Sequence, residues 1–441
     1  MKREAVEDVC RILDTWITYQ WFHRRIPGLA VGVIHEDKIV WTKYLGHADV
    51  EAKKPVTKDT QFCIASISKS FTATACMLLV QDGKLNLDDP VKKYVPWFTG
   101  NGLDDITIRM LLRQSSGIIR NGLTDYWALK TQFPDEKTLK EWAPKLVAIT
   151  PDTRFKYSNV GYGILGLVVA KASGLSYSQF IKKRVFTSLG MKKTTTSVSE
   201  ATSLAKGYTL DIPGTNRELI PTPDAHALNS ATGYVATLPD LLQYLAIHYG
   251  SKKLLSDKSR KEMQDVSWKH EGTEKYGFGI DKVQMEGESC FGHGGVYPGF
   301  MSSMGFLPEE KIGIVVLTNA DDGPAKDLRH KALSIVLFGK TKWKGPKNVT
   351  LDKYAGIFAL PPRRINATSR FGANVILYGP RAANPLNRPL ILEHVKDDEF
   401  LAIDGSGHAK IGEPVIFTIK DGKAVKICVQ AQCADRVEPP T

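Results

Sequence analysis

The sequence is poor in the features that mark fibrous, disordered, metal-clamped or membrane-spanning chains. It has no low-complexity tract, and 42% hydrophobic with 24% charged residues over 441 positions is the composition of a folded protein with room for two or three domains. The uncharged run Tyr157–Ala170 is 14 residues long and broken by Ser, Asn and Gly, too short and too polar to cross a bilayer. The opening MKREAVEDVCRILDTW carries acids where a secretory leader needs an apolar core. A soluble, cytoplasmic chain with no membrane partner is therefore expected. The six cysteines, Cys10, Cys63, Cys76, Cys290, Cys428 and Cys433, fit no zinc spacing. The ten histidines include no His-x-x-x-His or His-Glu-x-x-His pair. No metal and no cofactor is expected. Cys428 and Cys433 are close enough to pair across a turn, but a reducing cytoplasm predicts free thiols.

Two further absences narrow the chemistry. There is no Gly-x-Ser-x-Gly pentapeptide, which excludes the strand-to-helix nucleophile turn of α/β-hydrolases. Gly339-Lys340-Thr341 looks like the end of a phosphate-binding loop, but the first glycine of that motif is replaced by Ser334 and the segment leaves a helix instead of entering one. Acidic residues are in deficit, 47 against 59 basic, a net charge of +12. The basic residues are dispersed, and the clusters Lys182-Lys183-Arg184 and Pro361-Pro362-Arg363-Arg364 are short, so a solvated basic surface is expected and no nucleic-acid partner.

What is present has a clear order. An amphipathic helix over residues 4–24 precedes LAVGVIHEDKIVWTKYLG, two β-branched runs around Glu36-Asp37 that read as a hairpin. Helical patterns follow: Thr107–Arg113, stopped by Ser-Ser-Gly; SNVGYGILGLVVAKASG, with Ser158 or Asn159 near its start and Gly174 as its C-cap; and LPDLLQYLAIHYG, capped at Gly250. Strands return around Pro308-Glu309-Glu310 in MSSMGFLPEEKIGIVVLTNA, and DLRHKALSIVLFG closes the region as a helix. Strand, helices, strand, helix predicts an α/β layer with an inserted helical region. Beyond Leu351 the short β-runs NVILYGP, RPLILEHV, EFLAIDG and PVIFTIKDGKAVKICVQ, with Asp421-Gly422 as a hairpin turn, predict a small antiparallel β-barrel domain. The expected division is a first domain over 1–340, an exposed linker over 341–350 and the β domain over 351–441.

One stretch raises a chemical question. Cys63–Val80, CIASISKSFTATACMLLV, reads as an apolar helix, yet its first turn carries Lys69 with no acidic residue within a helical turn. A buried ammonium costs several kcal/mol unless it is paired or loses its proton. The neighbour on the same face is Ser66, three residues earlier. A desolvated lysine can accept a serine proton, and a helix start favours developing negative charge. On local sequence alone, a capping serine with a surface lysine stays open as the alternative.

The wider sequence resembles a known family. FCIASISKSFTATACMLLVQDGKLNLDDPVKKYVPWF, ITIRMLLRQSSGI, FKYSNVGYGILGLVVAKASGLSYSQFI, SLGMKKTTTS, ATGYVATLPDLLQYL, YGFGI and FGHGGVYPGFMSSMGFLP are similar, in order, to blocks of the serine β-lactamase-related superfamily. The branch resembled is that of class C β-lactamases, D-aminopeptidases, D-Ala-D-Ala carboxypeptidases and family VIII esterases, and the likeness runs from about Pro27 to about Gly339. The resemblance implies an antiparallel sheet flanked by helices, Ser66 as nucleophile and Lys69 as its activator. It makes Tyr157, in Tyr157-Ser158-Asn159, a general base that hands a proton to the leaving group, and Asn159 a contact of Lys69 and of substrate. His293-Gly294-Gly295 falls where lactamases carry Lys-Thr-Gly. There Gly295 lets an edge strand approach the substrate, and the N–H groups of Ser66 and Val296 form the oxyanion hole.

His293 is a departure, because a largely neutral imidazole weakens recognition of a substrate carboxylate. The resemblance therefore implies a metal-free serine hydrolase that forms an acyl-enzyme on a small ester or a short peptide, including peptides with a D-residue. A β-lactamase or penicillin-binding-type hydrolase is the alternative, and a catalytically dead scaffold on the same fold the reading from another class. The C-terminal domain, opened by KYAGIF, looks like the lipocalin-like domain of some peptidase members, which can limit substrate length or mediate homo-oligomerisation.

Overall fold

The computed structural model describes residues 1–266, 275–345, 350–361, 364–405 and 411–440. It divides into two compact units, Ile26–Arg329 on the one hand and Met1–Arg25 with His330–Thr441 on the other.

The unit Ile26–Arg329 is built on eight strands: β1 (Gly28–His35), β2 (Lys38–Asp49), β3 (Lys54–Pro55), and, after two small strand pairs, β8 (Lys275–Tyr276), β9 (Asp281–Met285), β10 (Glu288–Tyr297), β11 (Phe300–Leu307) and β12 (Ile312–Thr318). They form one antiparallel sheet in the order β3-β2-β1-β12-β11-β10-β9-β8. β1 and β12 are buried along their whole length, which is why both read as continuous apolar runs instead of alternating ones. The β1–β2 hairpin turns where expected, with Glu36 in the left-handed region at φ 57°. The small pairs are β4 (Gln61–Cys63) with β7 (Val235–Thr237), and β5 (Gly207–Tyr208) with β6 (Leu219–Ile220).

Between β4 and β8 lies the inserted helical region. Helix Ile108–Leu112 starts at Thr107, whose side chain accepts from Met110 N, and helix Asn159–Ser173 starts at Ser158 and ends at Gly174 in the left-handed conformation. Helix Leu238–Leu245 stops short of Gly250, because Ile247 and His248 continue in tighter i→i−3 turns onto Tyr244 and Leu245. The expected helix Cys63–Val80 also begins later. Its first residues complete β4 and a 3₁₀ turn, and the α-helix spans Ser68–Gln81.

The second unit holds a closed antiparallel barrel of β13 (Gly356–Leu360), β14 (Arg364–Phe371), β15 (Asn374–Tyr378), β16 (Leu390–Lys396), β17 (Glu399–Gly405), β18 (Pro414–Lys420), β19 (Lys423–Val429) and β20 (Gln432–Val437). Its interior is filled by side chains. Tyr354 packs on Phe400 and Phe417 with ring centroids 4.7 and 5.0 Å away, over a floor of Val375, Leu392 and Val415. Asp421 and Gly422 both have positive φ, the backbone of a two-residue hairpin turn between β18 and β19.

The division by contacts differs from the boundary at 340 that composition suggests. Helix Arg3–His23 groups with the barrel because its buried Asp8 accepts from Trp343 Nε1, Arg370 Nε and Gly372 N at 2.9, 3.1 and 2.7 Å, and because Trp16 and Gln20 both donate to Ala382 O. The helix Ala325–Lys342 carries Gly339, Lys340 and Thr341 and runs into the expected linker. Residues 346–349 of that linker, and Pro362 and Arg363 of the basic cluster, lie outside the described residues.

Cys428 and Cys433 are joined by a disulfide, contrary to the expectation of free thiols. The register explains it: they face each other across the β19–β20 ladder with Cα atoms 4.0 Å apart, so the fold brings the sulfurs together regardless of compartment. The other four cysteines are free and buried.

Candidate active site

The site grows from the loop between β4 and helix Ser68–Gln81. β4 is held by β7, and Ile64 N donates to Tyr234 O at 2.9 Å. Ala65 then takes φ 48°, a conformation few non-glycine residues adopt, and turns the chain so that Ser66 sits in a 3₁₀ turn, Ala65–Ile67. Ser68 locks that turn by donating to Ala65 O at 2.6 Å and accepting from Tyr234 N at 3.1 Å. Between residues 61 and 70, Ser66 is the single side chain that is not fully buried.

Lys69, one turn later, has no exposed surface. Its Nζ lies 3.0 Å from Ser66 Oγ, 2.7 Å from Asn159 Oδ1 and 2.8 Å from Ala231 O. Burial, and then the positive charge of Arg120, hold its pKa well below the usual lysine range. The Asn159 and Ala231 oxygens can only accept, whereas the serine hydroxyl can donate. A neutral amine satisfies all three contacts, with two N–H donors on the obligate acceptors and its lone pair toward Ser66.

Asn159 is placed by two loops that fasten each other. Ser158 N donates to Gln114 Oε1 at 2.7 Å, Ser158 Oγ donates to Ile119 O at 2.8 Å, and Asn159 N donates to Arg120 O at 2.8 Å. The Asn159 amide then offers its oxygen to Lys69 and its Nδ2 to Asn121 Oδ1 at 2.8 Å. The Ala231 segment comes close because Gly163 and Gly166 leave room, since a Cβ on Gly166 would lie 2.5 Å from Ser230 Oγ. Tyr157 is partly buried, and its ring centroid is 4.9 Å from Lys69 Nζ and 5.4 Å from Arg120 Cζ. Burial pushes its phenol well above the ordinary tyrosine range, opposed by a hydrogen bond with Ser66 and the Arg120 charge.

β10 forms the opposite wall. Its first half pairs with β9 through Gly292, and from His293 on no β9 residue pairs with it, so the edge at Gly294–Tyr297 faces the cleft without a β9 neighbour. Gly295 is required there. A Cβ would lie 2.2 Å from Ile64 O and 2.3 Å from Ser302 Oγ, so only glycine lets β10 pass the turn before Ser66. The Val296 side chain is 59% exposed at the same edge. His293 is buried, with Nδ1 2.6 Å from Gly294 O and Nε2 3.1 Å from Tyr276 OH. The carbonyl can only accept, so Nδ1 carries the proton and Nε2 accepts from the tyrosine. Burial is the chief cause that pulls its pKa down to about 3.

Two adjoining lobes make up the cleft. Ser66, Tyr157, Asn159, Gly294 and Val296 share a lobe of about 320 Å³ with Arg120, Asn121 and Trp127. His293 and Tyr157 share one of about 260 Å³ with Arg120, Phe155, Lys275, Tyr276 and Asp281. All seven residues singled out in the sequence thus converge on one place. Sequence reasoning assigns no role to Arg120, Asn121, Trp127, Tyr276 or Asp281. Tyr276 sits in the block YGFGI, and Arg120-Asn121 closely follow the Ser-Ser-Gly helix stop, the one local signal that marks the loop. In that same YGFGI block Gly279, at φ 69°, packs on the Lys69 backbone, where a Cβ would lie 2.6 Å from Lys69 O. Among the described residues no group of three or more His, Cys, Asp and Glu side chains is arranged to hold a metal ion.

A buried lysine on a semi-exposed serine, beside a tyrosine and an asparagine under a glycine-bearing strand, is the arrangement of the serine β-lactamase-related fold, and the chain belongs to the Beta-lactamase family, whose model matches residues 13–337. It is similar to protein Flp of Staphylococcus aureus (strain MW2), 29% identical over 316 residues that cover 70% of this chain and 62% of that one. It is similar to a β-lactamase of Pseudomonas fluorescens, 30% identical over 258 residues covering 56% of this chain and 66% of the other, and to a β-lactamase of Yersinia enterocolitica, 27% identical over 352 residues covering 70% and 87%. The match spans under two thirds of the length of the first two relatives. Among solved structures, the octameric penicillin-binding protein homologue from Pyrococcus abyssi aligns with a TM-score of 0.65 at 27% identity, over 96% of this chain and 98% of that one.

Proposed function

We propose that this serine hydrolase-family chain cleaves a small ester or a peptide amide, including amides flanked by a D-residue, through an acyl-enzyme on Ser66, without a metal. The observation that carries the reading is the fully buried Lys69, 3.0 Å from Ser66 Oγ and with two carbonyl oxygens as its other partners, which as a neutral amine has its lone pair for the Ser66 proton. Ser66 Oγ attacks the carbonyl carbon as its proton passes to Lys69 Nζ, and the N–H groups of Ser66 and Val296 receive the oxyanion. Tyr157 stays a phenol, consistent with its raised pKa, and gives its proton to the leaving oxygen or nitrogen while regaining one from the Lys69 ammonium. Water then attacks the acyl-enzyme by the reverse relay and releases the acid. Self-association is part of the proposal, supported by the octameric relative.

The test is a panel of nitrophenyl esters, D- and L-aminoacyl anilides and a chromogenic cephalosporin, run on wild type and Ser66→Ala. Turnover of esters or anilides that disappears in the variant is the expected result. Turnover of none of them contradicts the proposal. Cephalosporin hydrolysis faster than the rest favours the β-lactamase reading, which the names of two relatives support.

A further inference from the structure

His293 stands where the resemblance places a permanent cation, yet both its nitrogens are engaged, by Gly294 O and Tyr276 OH. The cleft's positive charge comes from another quarter. Arg120 lines both lobes, and in the lobe that contains Ser66 it is, among the described residues, the one charged side chain on the lining. Its main chain is fixed by Asn159 N and Val160 N, which donate to its carbonyl at 2.8 and 3.4 Å, so the loop cannot drift from the Lys69–Asn159 pair. Its guanidinium lies over the Tyr157 ring and is solvent-accessible. Among the described residues no carboxylate forms an ion pair with it.

We propose that Arg120 is the substrate's anion anchor: the acyl donor carries a carboxylate that pairs with this guanidinium in the Ser66 lobe while its reacting carbonyl lies at Ser66. The proposal rests on the reading of Ser66 as nucleophile. A planar carboxylate matches the guanidinium fork. One cation in a lobe of about 320 Å³ balances a monoanion and leaves a dianion such as phosphate with uncompensated charge. The other lobe is the poorer place for the anion, because its second cation, Lys275, is accompanied on the lining by the Asp281 carboxylate, which offsets that charge and repels an anion. Recognition of a carboxylate, lost at His293, is thereby supplied from a different loop.

The test uses the full chain and a matched pair of substrates, 4-nitrophenyl hydrogen terephthalate and its neutral methyl ester. Wild type should prefer the anion, Arg120→Gln should lower the anionic-to-neutral ratio of kcat/KM roughly tenfold, mostly through KM, and Arg120→Lys should restore part of it. The wild-type preference should shrink as salt is added, because the site is solvated. An unchanged ratio in Arg120→Gln, or equal losses on both esters, overturns the anchor and leaves Arg120 with a role in supporting Tyr157 alone. Calorimetry on Ser66→Ala, with monomethyl and dimethyl terephthalate as probes, reads binding without turnover. Tighter binding of the monoacid that vanishes in Ser66→Ala/Arg120→Gln supports the anchor, and equal affinities overturn it. Arg120-dependent binding in a protein whose Ser66 never becomes acylated would overturn the hydrolase reading alone.

Discussion

Lys69 Nζ stands 3.0 Å from Ser66 Oγ, and its two other contacts, Asn159 Oδ1 and Ala231 O, are groups that cannot give it a proton. The lysine has no carboxylate among these partners; burial, and then the Arg120 charge, favour an uncharged amine despite the two acceptors, and that amine can turn its lone pair toward the Ser66 hydroxyl.

Lys69 and Tyr157 should therefore act as one unit. Lys69→Ala and Tyr157→Phe should each lower the acylation rate by roughly two to four orders of magnitude. The double variant should be little worse than the worse single one, because each step needs both groups. Single-turnover stopped-flow with an activated ester measures this. Clean multiplication of the two losses would mean that the residues work independently.

The rate should rise with pH through the lowered pKa of Lys69 and level off above it, since the protonated amine cannot accept from Ser66. Arg120 contributes to that lowering, so in Arg120→Gln the lysine holds its proton to higher pH and the acidic limb shifts upward. The profile of kcat/KM for a neutral ester checks the direction. A shift to lower pH would reverse the assigned electrostatics.

Gly295→Ala should disable the site where Gly294→Ala does not. A Cβ on Gly295 meets Ile64 O at 2.2 Å and pushes β10 from the Ser66 turn, whereas one on Gly294 meets only Ser302 O at 3.9 Å. Displacing the Val296 N–H by about an ångström should cost about a hundredfold in kcat. Equal activity of the two variants would remove the role given to the close approach.

Acid should destabilise the unit Ile26–Arg329 through two buried histidines. His248 and His293 both have pKa values pulled down to about 3, chiefly by burial. The folded pKa lies below the unfolded value of about 6.5, so the contribution is complete above that pH and is lost as pH falls toward 3, by up to about 1.4 kcal/mol per pH unit for each histidine. His248→Phe, which keeps the stacked ring on Phe306, should remove about half of this slope in urea titrations. An unaltered slope would assign the acid sensitivity elsewhere.

Much of the site and the fold is legible in the amino-acid order itself. Ser66 and Lys69 stand out because the reason for their pairing is local, one helical turn apart in an apolar segment. Ser158, Gly174, Asp421 and Gly422 stand out because caps and hairpin turns demand particular backbones. Arg120 and Asn121 do not, because their importance comes from where a loop lands, and that is set by hydrogen bonds to Asn159 from a distant segment. Tyr276 carries no local signal of its role for the same reason, since its bond to His293 joins β8 to β10 across the sheet. The Cys428–Cys433 disulfide escapes a reading that weighs compartment and leaves out strand register. Helix Arg3–His23 reads as part of the first domain until Asp8 is seen to take three donors from the chain that leads into and through the barrel.

The most direct measurement is intact-mass analysis of the protein after incubation with a fluorophosphonate or an activated ester, followed by peptide mapping. The account predicts a single covalent adduct on the peptide containing Ser66, absent from Ser66→Ala and formed far more slowly by Lys69→Ala. An unmodified mass under conditions where the ester is hydrolysed, or an adduct that survives in Ser66→Ala, would contradict it.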